Sequence, residues 1–248
     1  MGPWLPLIIG FVACLYAAVG HAGATGYIAV MSLAGLPPEV IRPTALMLNV
    51  VVSLIATVQF ARAGHFRGGL FLPLAAASIP AALLGGWLRL PTAVFEALVG
   101  GVLLLSVGRL MKRLGAGDPL EQPGWLPRPP GLAALGGGLG FLSGLTGVGG
   151  GVFLTPALLA LGVAPVRQVA AVSAPFILVN SLAGLGGWFA RGNPLPAVGA
   201  WVVLAVGLGG VVGAQVGAFQ LPPRRLQVLM AVVLVIAGVK LVVRAVVG

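Results

Sequence analysis

The chain is 248 residues long, 59% hydrophobic and only 7% charged, with a mean hydropathy of +1.11. A soluble globular domain carries roughly 25% charged residues, so that class is excluded. The net charge of +10 does not point to nucleic acid, because Lys and Arg stand singly or in pairs at the ends of apolar runs, as at Arg62, Arg67, Arg191 and Arg224. Such flanks follow the positive-inside bias and the pull of anionic head groups. Polar and apolar positions never alternate for long, so little strand is expected. Cys14 is the single cysteine, which leaves no intramolecular disulfide and no cysteine-rich metal site. No cofactor is expected.

From the N-terminus onward, apolar runs of roughly 20 residues, the length of one membrane crossing, follow one another. The first, 3–36, is interrupted at "GHAGATG". Its apolar core followed by small residues has the outline of a signal peptide. It lacks a basic flank, however, and has a counterpart in mid-chain, so it reads as structure. Runs at 43–62, 69–88 and 92–111 come next, then the polar stretch "KRLGAGDPLEQPGWLPRPPG". Beyond it the order returns: 132–161, interrupted at "GLTGVGGG", then 168–190, 197–219 and 225–246. The expected organisation is a first transmembrane repeat over 1–113, a linker over 114–130 and a second repeat over 131–248.

The two halves keep register. Gly20, Gly23, Gly35 and Pro38 fall on Gly147, Gly150, Gly162 and Pro165 at an offset of 127. Gly64 and Gly85 fall on Gly192 and Gly213 at 128, and Pro91, Leu98, Leu110 and Arg113 on Pro222, Leu229, Leu241 and Arg244 at 131. Internal repeats of this kind are common in secondary transporters. The expected fold is an all-α polytopic membrane protein of two pseudo-symmetric repeats, each a broken or re-entrant helix pair plus three transmembrane helices. The interrupted runs, about 30 residues each, are too long for one crossing and too short for two. Re-entrant hairpins would make the halves inverted, whereas single crossings would make them parallel. Basic residues divide alike in both cases. The inverted arrangement is favoured because it brings the two interruptions together near the bilayer midplane.

Gly147, Gly149, Gly150 and Gly151 crowd four glycines into five positions. Each costs about 1 kcal/mol relative to alanine inside a helix. The return for that cost is chemical. A helix that ends there leaves bare carbonyls, and the helix that restarts presents bare N–H groups at the positive end of its dipole. Glycine lets the backbone turn and a ligand come close. An anion site made of backbone results, with no formal charge buried. The predicted cradle is Gly147, Gly149, Gly150 and Gly151 with Gly20, His21 and Gly23 from the first half. Glycines elsewhere, Gly213 and Gly217 among them, read as close helix packing.

"GLTGVGGGVFLTPALLALGV", its first-half echo and the four-plus-four layout resemble the TauE/SafE sulfite exporter family, also called the 4-toluene sulfonate uptake permease family. The resemblance covers essentially the whole chain. It implies a multi-pass transporter of the bacterial cytoplasmic (inner) membrane for small sulfur-containing anions such as sulfite, sulfoacetate or other sulfonates. The first half departs from the pattern: His21 aligns with Val148, and Ala24 with Gly151.

Other polar residues lie within the runs. His21 can donate a hydrogen bond to an anion or couple transport to protons, or it can be satisfied by a nearby carbonyl. Asn49 and Ser53 share one helix face, as do Ser173 and Asn180. These line a pocket or bond helices together, and bonding is the plainer reading of each. Thr25, Thr146, Asn49, Ser173 and Asn180 are the second contacts of the predicted site. Glu96 reads as a first-turn acid, and Arg89, Arg224 and Arg225 as interfacial charges. No nucleophile–base pair, metal-ligand cluster or phosphate loop occurs, so the chain is not expected to be an enzyme. The expected function is secondary transport, most simply export, of a small anion by alternating access. An anion channel and, more weakly, an intramembrane enzyme remain alternatives. Membrane lipids surround the chain; a coupling ion, proton or sodium, and a homodimer stay open.

Overall fold

A computed structural model describes residues 4–88 and 128–222 and a subset of helical positions from 224 to 243. Among them the regular elements are helices: α1 Trp4–Ala18, α2 Ala24–Leu33, α3 Pro38–Arg62, α4 Gly68–Trp87, α5 Pro129–Thr146, α6 Gly151–Leu161, α7 Val166–Ala190 and α8 Ala200–Gln215. A π-helical turn, Val216–Gln220, extends α8. The run expected at 92–111, residues 114–127 of the expected linker, Arg89 and Glu96 lie outside the described residues, whereas Pro129 and Pro130, expected in the linker, open α5.

Four helical stretches, Glu39–Arg62, Gly68–Trp87, Val166–Ala190 and Ala200–Gln220, are long and apolar enough to cross a membrane. At about 1.5 Å per residue a 25-residue helix exceeds the ~30 Å hydrocarbon core. Helices α2 and α6, of 10 and 11 residues, reach only about 15 Å and stop well short of it. Both interruptions are therefore real breaks.

The start of α3 differs most from expectation. Helix α3 starts at Pro38, not at Pro43. Pro37 holds an extended conformation, and Pro38 takes the first helical position, where its missing N–H is no loss. Pro43 then costs a single backbone bond one turn further on. The shift makes Arg42 a helical residue rather than a loop residue.

Helices α3 and α7 cross antiparallel at the centre. Arg42 lies near Arg191, Leu46 beside where a Gly184 side chain would project, Asn49 against Ser181, and His65 near Arg167. Helix α7 is the most buried of the four long stretches. Two parallel seams flank this pair. Gly209, Gly213 and Gly217 of α8 and its π turn back onto Gly10, Cys14 and Ala18 of α1. Gly136, Gly140 and Gly144 of α5 back onto Leu74, Ser78 and Ala82 of α4. Four-residue spacing puts each triplet on one helix face. A Cβ on any of the six would run into a carbonyl oxygen of the facing helix. Small residues thus let the backbones touch, the packing available where lipid removes the hydrophobic drive between helices. Gly213 and Gly217 have the packing role expected of them. Leu7 and Phe11 of α1 and Trp201 and Leu208 of α8 point outward and stay exposed.

A rigid carbonyl cannot yield to an added side chain. Gly140→Val is expected to cost about 1–3 kcal/mol of stability. Gly138→Ala, on the open face of the same helix with nothing within 4 Å, should cost none. Thermal melts of the two purified variants in detergent provide the comparison.

Candidate functional site

The second break is built from glycine backbone. Gly147 closes α5 with φ +71°, its N–H bonding to Ser143 O at 2.9 Å. Gly149 and Gly150 follow with φ +81° and +79° before α6 begins. An L side chain in that region costs about 1–2 kcal/mol per residue, so the turn selects glycine. The N–H groups of Phe153 and Leu154 return to Gly150 O at 3.1 and 3.0 Å. The first break uses the same device: Gly20 at φ +73° and Gly23 at φ +100° bracket His21 and Ala22.

Side chains from three other elements close around the second break. Asn49 of α3, fully buried, donates from Nδ2 to Val148 O at 3.3 Å and reaches Ser181 Oγ of α7 at 3.5 Å. A Cβ on Gly149 would stand 2.6 Å from Asn49 Nδ2 and 2.9 Å from Ser181 Oγ. One on Gly150 would meet the Phe176 ring at 2.9 Å and Ser143 Oγ at 3.2 Å. Arg42 donates from Nη2 to Gly144 O in the last turn of α5, and its side chain lies over Gly147. The first break arrives through His21: a Cβ on Gly151 would be 3.8 Å from the imidazole Cδ2. His21 is buried, with Nδ1 3.1 Å from Val19 O. A carbonyl can only accept, so Nδ1 carries the proton in the neutral ring and Nε2, which has no partner, holds the lone pair. Ser143 Oγ and Asn49 Oδ1 are likewise buried and unpartnered.

The predicted residues thus divide. Gly147, Gly149, Gly150, Gly151, His21 and Asn49 come together at one place, with Gly20 behind them against the backbone of Ala170. The others are occupied elsewhere. Thr146 turns back to Leu142 O at 2.7 Å on its own helix. Thr25 bonds the Tyr16 hydroxyl at 2.9 Å, tying α2 to α1, and Gly23 packs on the Tyr27 ring. Ser173 bonds Thr155 at 2.8 Å, joining α6 to α7, and Asn180 donates to Ser78 Oγ at 3.1 Å and Phe176 O at 2.7 Å. Arg42 and Ser143 complete the cluster without having been singled out as site residues, and Ser181, a polar residue of the same run as Ser173 and Asn180, joins it from α7. For Arg42 the signal was the Pro37–Pro38 pair, which starts the helix early enough to carry it. Ser143 stands four residues before Gly147, on the face where α5 ends. Among the described residues no group of His, Cys, Asp and Glu is placed to hold a metal ion.

Comparison with known proteins gives one family. The family model described as "Sulfite exporter TauE/SafE" matches residues 5–241. A curated relative, "Probable membrane transporter protein y4hK" of Sinorhizobium fredii (strain NBRC 101917 / NGR234), is 41% identical over 233 residues, covering 93% of this chain and 94% of the relative. No solved structure matches the chain.

Removing the Asn49 amide leaves the Val148 carbonyl buried without that donor. Asn49→Leu should therefore lose about 1–3 kcal/mol of stability. Thr146→Val, whose hydroxyl only doubles a bond already made by its own helix, should stay within about 0.5 kcal/mol of the parent. Equal melting shifts for the two variants would contradict this division of the polar residues.

Proposed function

The chain belongs to the TauE/SafE sulfite exporter family and is a multi-pass membrane transporter rather than an enzyme, and from that premise we propose that it carries a small sulfur-containing anion out of the cell. The substrate class is sulfite, sulfoacetate or another sulfonate, and the setting is a bacterial inner membrane. The anion binds where the two glycine breaks meet. One observation carries this reading: two broken helix ends converge on one point, where the Ser143 hydroxyl is buried with no partner and the His21 ring arrives from the other break. That point faces Asn49 and Ile177, close to the middle of the 25-residue α3 and α7. N–H groups at a helix start replace the water around an anion without burying a formal charge.

Two inverted repeats, 1–113 and 131–248, supply the two breaks. Several features support this. Gly20, Gly23, Gly35 and Gly64 have left-handed φ values, and so do Gly147, Gly150, Gly162 and Gly192, their counterparts at the sequence offset. Helices α1 and α8 pair in parallel, as do α5 and α4, so the first helix of each half lies on the fourth helix of the other. The antiparallel run of α3 against α7 suits inverted halves, because parallel halves would make these counterparts parallel. The first break is a re-entrant hairpin in this reading. Gly26 of α2 backs onto Val12 of α1, and Met31 shares an apolar hollow with Leu5 and Ile9, so α2 returns along α1. Alternating access then tilts the halves about the two breaks. His21 couples the anion to a proton, because the Nε2 lone pair becomes a donor to the anion only when the ring is protonated.

Gly150→Leu forces a side chain onto the Phe176 ring and onto a left-handed backbone. It is expected to abolish sulfite or sulfoacetate efflux from proteoliposomes while the protein still inserts; parental flux would refute the glycine site. In the parent, flux is expected to rise as pH falls, and His21→Gln should flatten that profile. An unchanged pH profile in the variant would leave the imidazole without a coupling role.

A further inference from the structure

We propose that Arg42 is the fixed positive charge of the anion site, so that one of two similarly built breaks is charged and the other is not. The proposal deepens the transport reading above and rests on it.

Arg42 stands in the second turn of α3, seven residues before Asn49 and on the same face. Its side chain runs to the second break: a Cβ on Gly147 would lie 2.6 Å from Arg42 Cγ and 3.2 Å from Nε. Nη2 caps the last turn of α5 at Gly144 O, a bond that satisfies one bare carbonyl and places the cation at the negative end of that helix. The cap does not use up the guanidinium. Nε is buried and has no hydrogen-bond partner.

Among the described residues nothing of opposite charge is packed against it. Glu39 is the one carboxylate among the described residues, and it is exposed. The charged group that acts on Arg42 is Arg191, at the end of α7, which repels it. A charge drawn out of water calls for a counter-charge and for full use of its donors. Here both are wanting, and the shortfall lies over Gly147, where the second break begins. A planar guanidinium with a free Nε edge matches two oxygens of an oxyanion such as a –SO₃ group, which a point charge cannot do as well.

The other break supplies the contrast. Arg42 falls on Val169 at the offset of 127 that Pro38 keeps and on Ala170 at the 128 that Gly64 keeps, and Ala170 is the residue whose backbone Gly20 packs against. Gly20 and Gly147 are themselves counterparts, both left-handed. In either register an apolar residue stands at one break where a guanidinium stands at the other. An anion seated between the breaks is held at the second by charge and at the first by backbone and His21.

The test is equilibrium binding by calorimetry on the purified full-length chain, with sulfite, sulfoacetate, sulfate and phosphate as probes, alongside melting in the same detergent. Arg42→Gln retains an amide donor for Gly144 O and removes the charge; Arg42→Lys retains the charge and removes the fork. Arg42→Gln is expected to weaken binding about 10- to 100-fold and to reduce its salt dependence, with little change in melting. Arg42→Lys should recover part of the loss. If the parent binds sulfite and Arg42→Gln binds it equally well, the assignment falls while the transport reading stands. If Arg42→Gln and Arg42→Lys lose binding equally and both melt early, Arg42 is a helix cap only and the assignment falls. If the parent binds only phosphate or sulfate and Arg42→Gln loses that, the arginine stands and the sulfite and sulfonate substrate falls. A parent that binds none of the four overturns both.

Discussion

A helix that stops inside a membrane protein leaves carbonyls and N–H groups that no water can reach, and their satisfaction governs the rest of this structure. At the second break the Gly144 carbonyl is met by Arg42 and the Val148 carbonyl by Asn49. Both donors come from α3, on the other side of the chain's midpoint. The break is stable only where α3 passes it, so the position of α3 and the position of the break are one constraint. The acceptors are met by side chains. At the helix start opposite, the Phe153 and Leu154 N–H groups turn back to Gly150 O, so this end is closed largely by its own backbone.

The glycine seams make such a convergence reachable. Six glycines on α5 and on α8 with its π turn bring carbonyl oxygens of α4 and α1 within reach of a Cβ position. Backbones that touch hold α1 at a set depth along α8 and α5 at a set depth along α4. Asn49 then arrives at Val148, and His21 at Gly151, rather than one turn away. The seam glycines have helical backbones and are needed for space, whereas Gly20, Gly23, Gly147, Gly149 and Gly150 of the breaks have left-handed backbones and are needed for conformation.

The two breaks share their backbone plan and differ in their surroundings. Gly20 rests on Ala170 and Gly147 under Arg42; His21 occupies one tip and Val148 the corresponding place at the other. Their surroundings are thereby polar in unequal ways, with Arg42 over one break and the imidazole of His21 at the other.

Much of this was legible from residues alone. The apolar runs follow from composition, the two interruptions from clustered glycine, and the left-handed turns from the paired positions Gly20 with Gly147 and Gly23 with Gly150, because each of these is a local property of the backbone. Which polar side chains stand at the breaks was decided only in three dimensions. Asn49 and Thr146 look alike as candidates in the sequence, yet one spans to Val148 and the other folds back on Leu142. Arg42 read as a loop residue until the Pro37–Pro38 pair moved the start of α3. Convergence depends on the direction and depth at which α3 crosses α7, and that crossing is set by contacts between residues more than a hundred positions apart, such as Arg42 with Gly144. No local pattern encodes a distance of that kind.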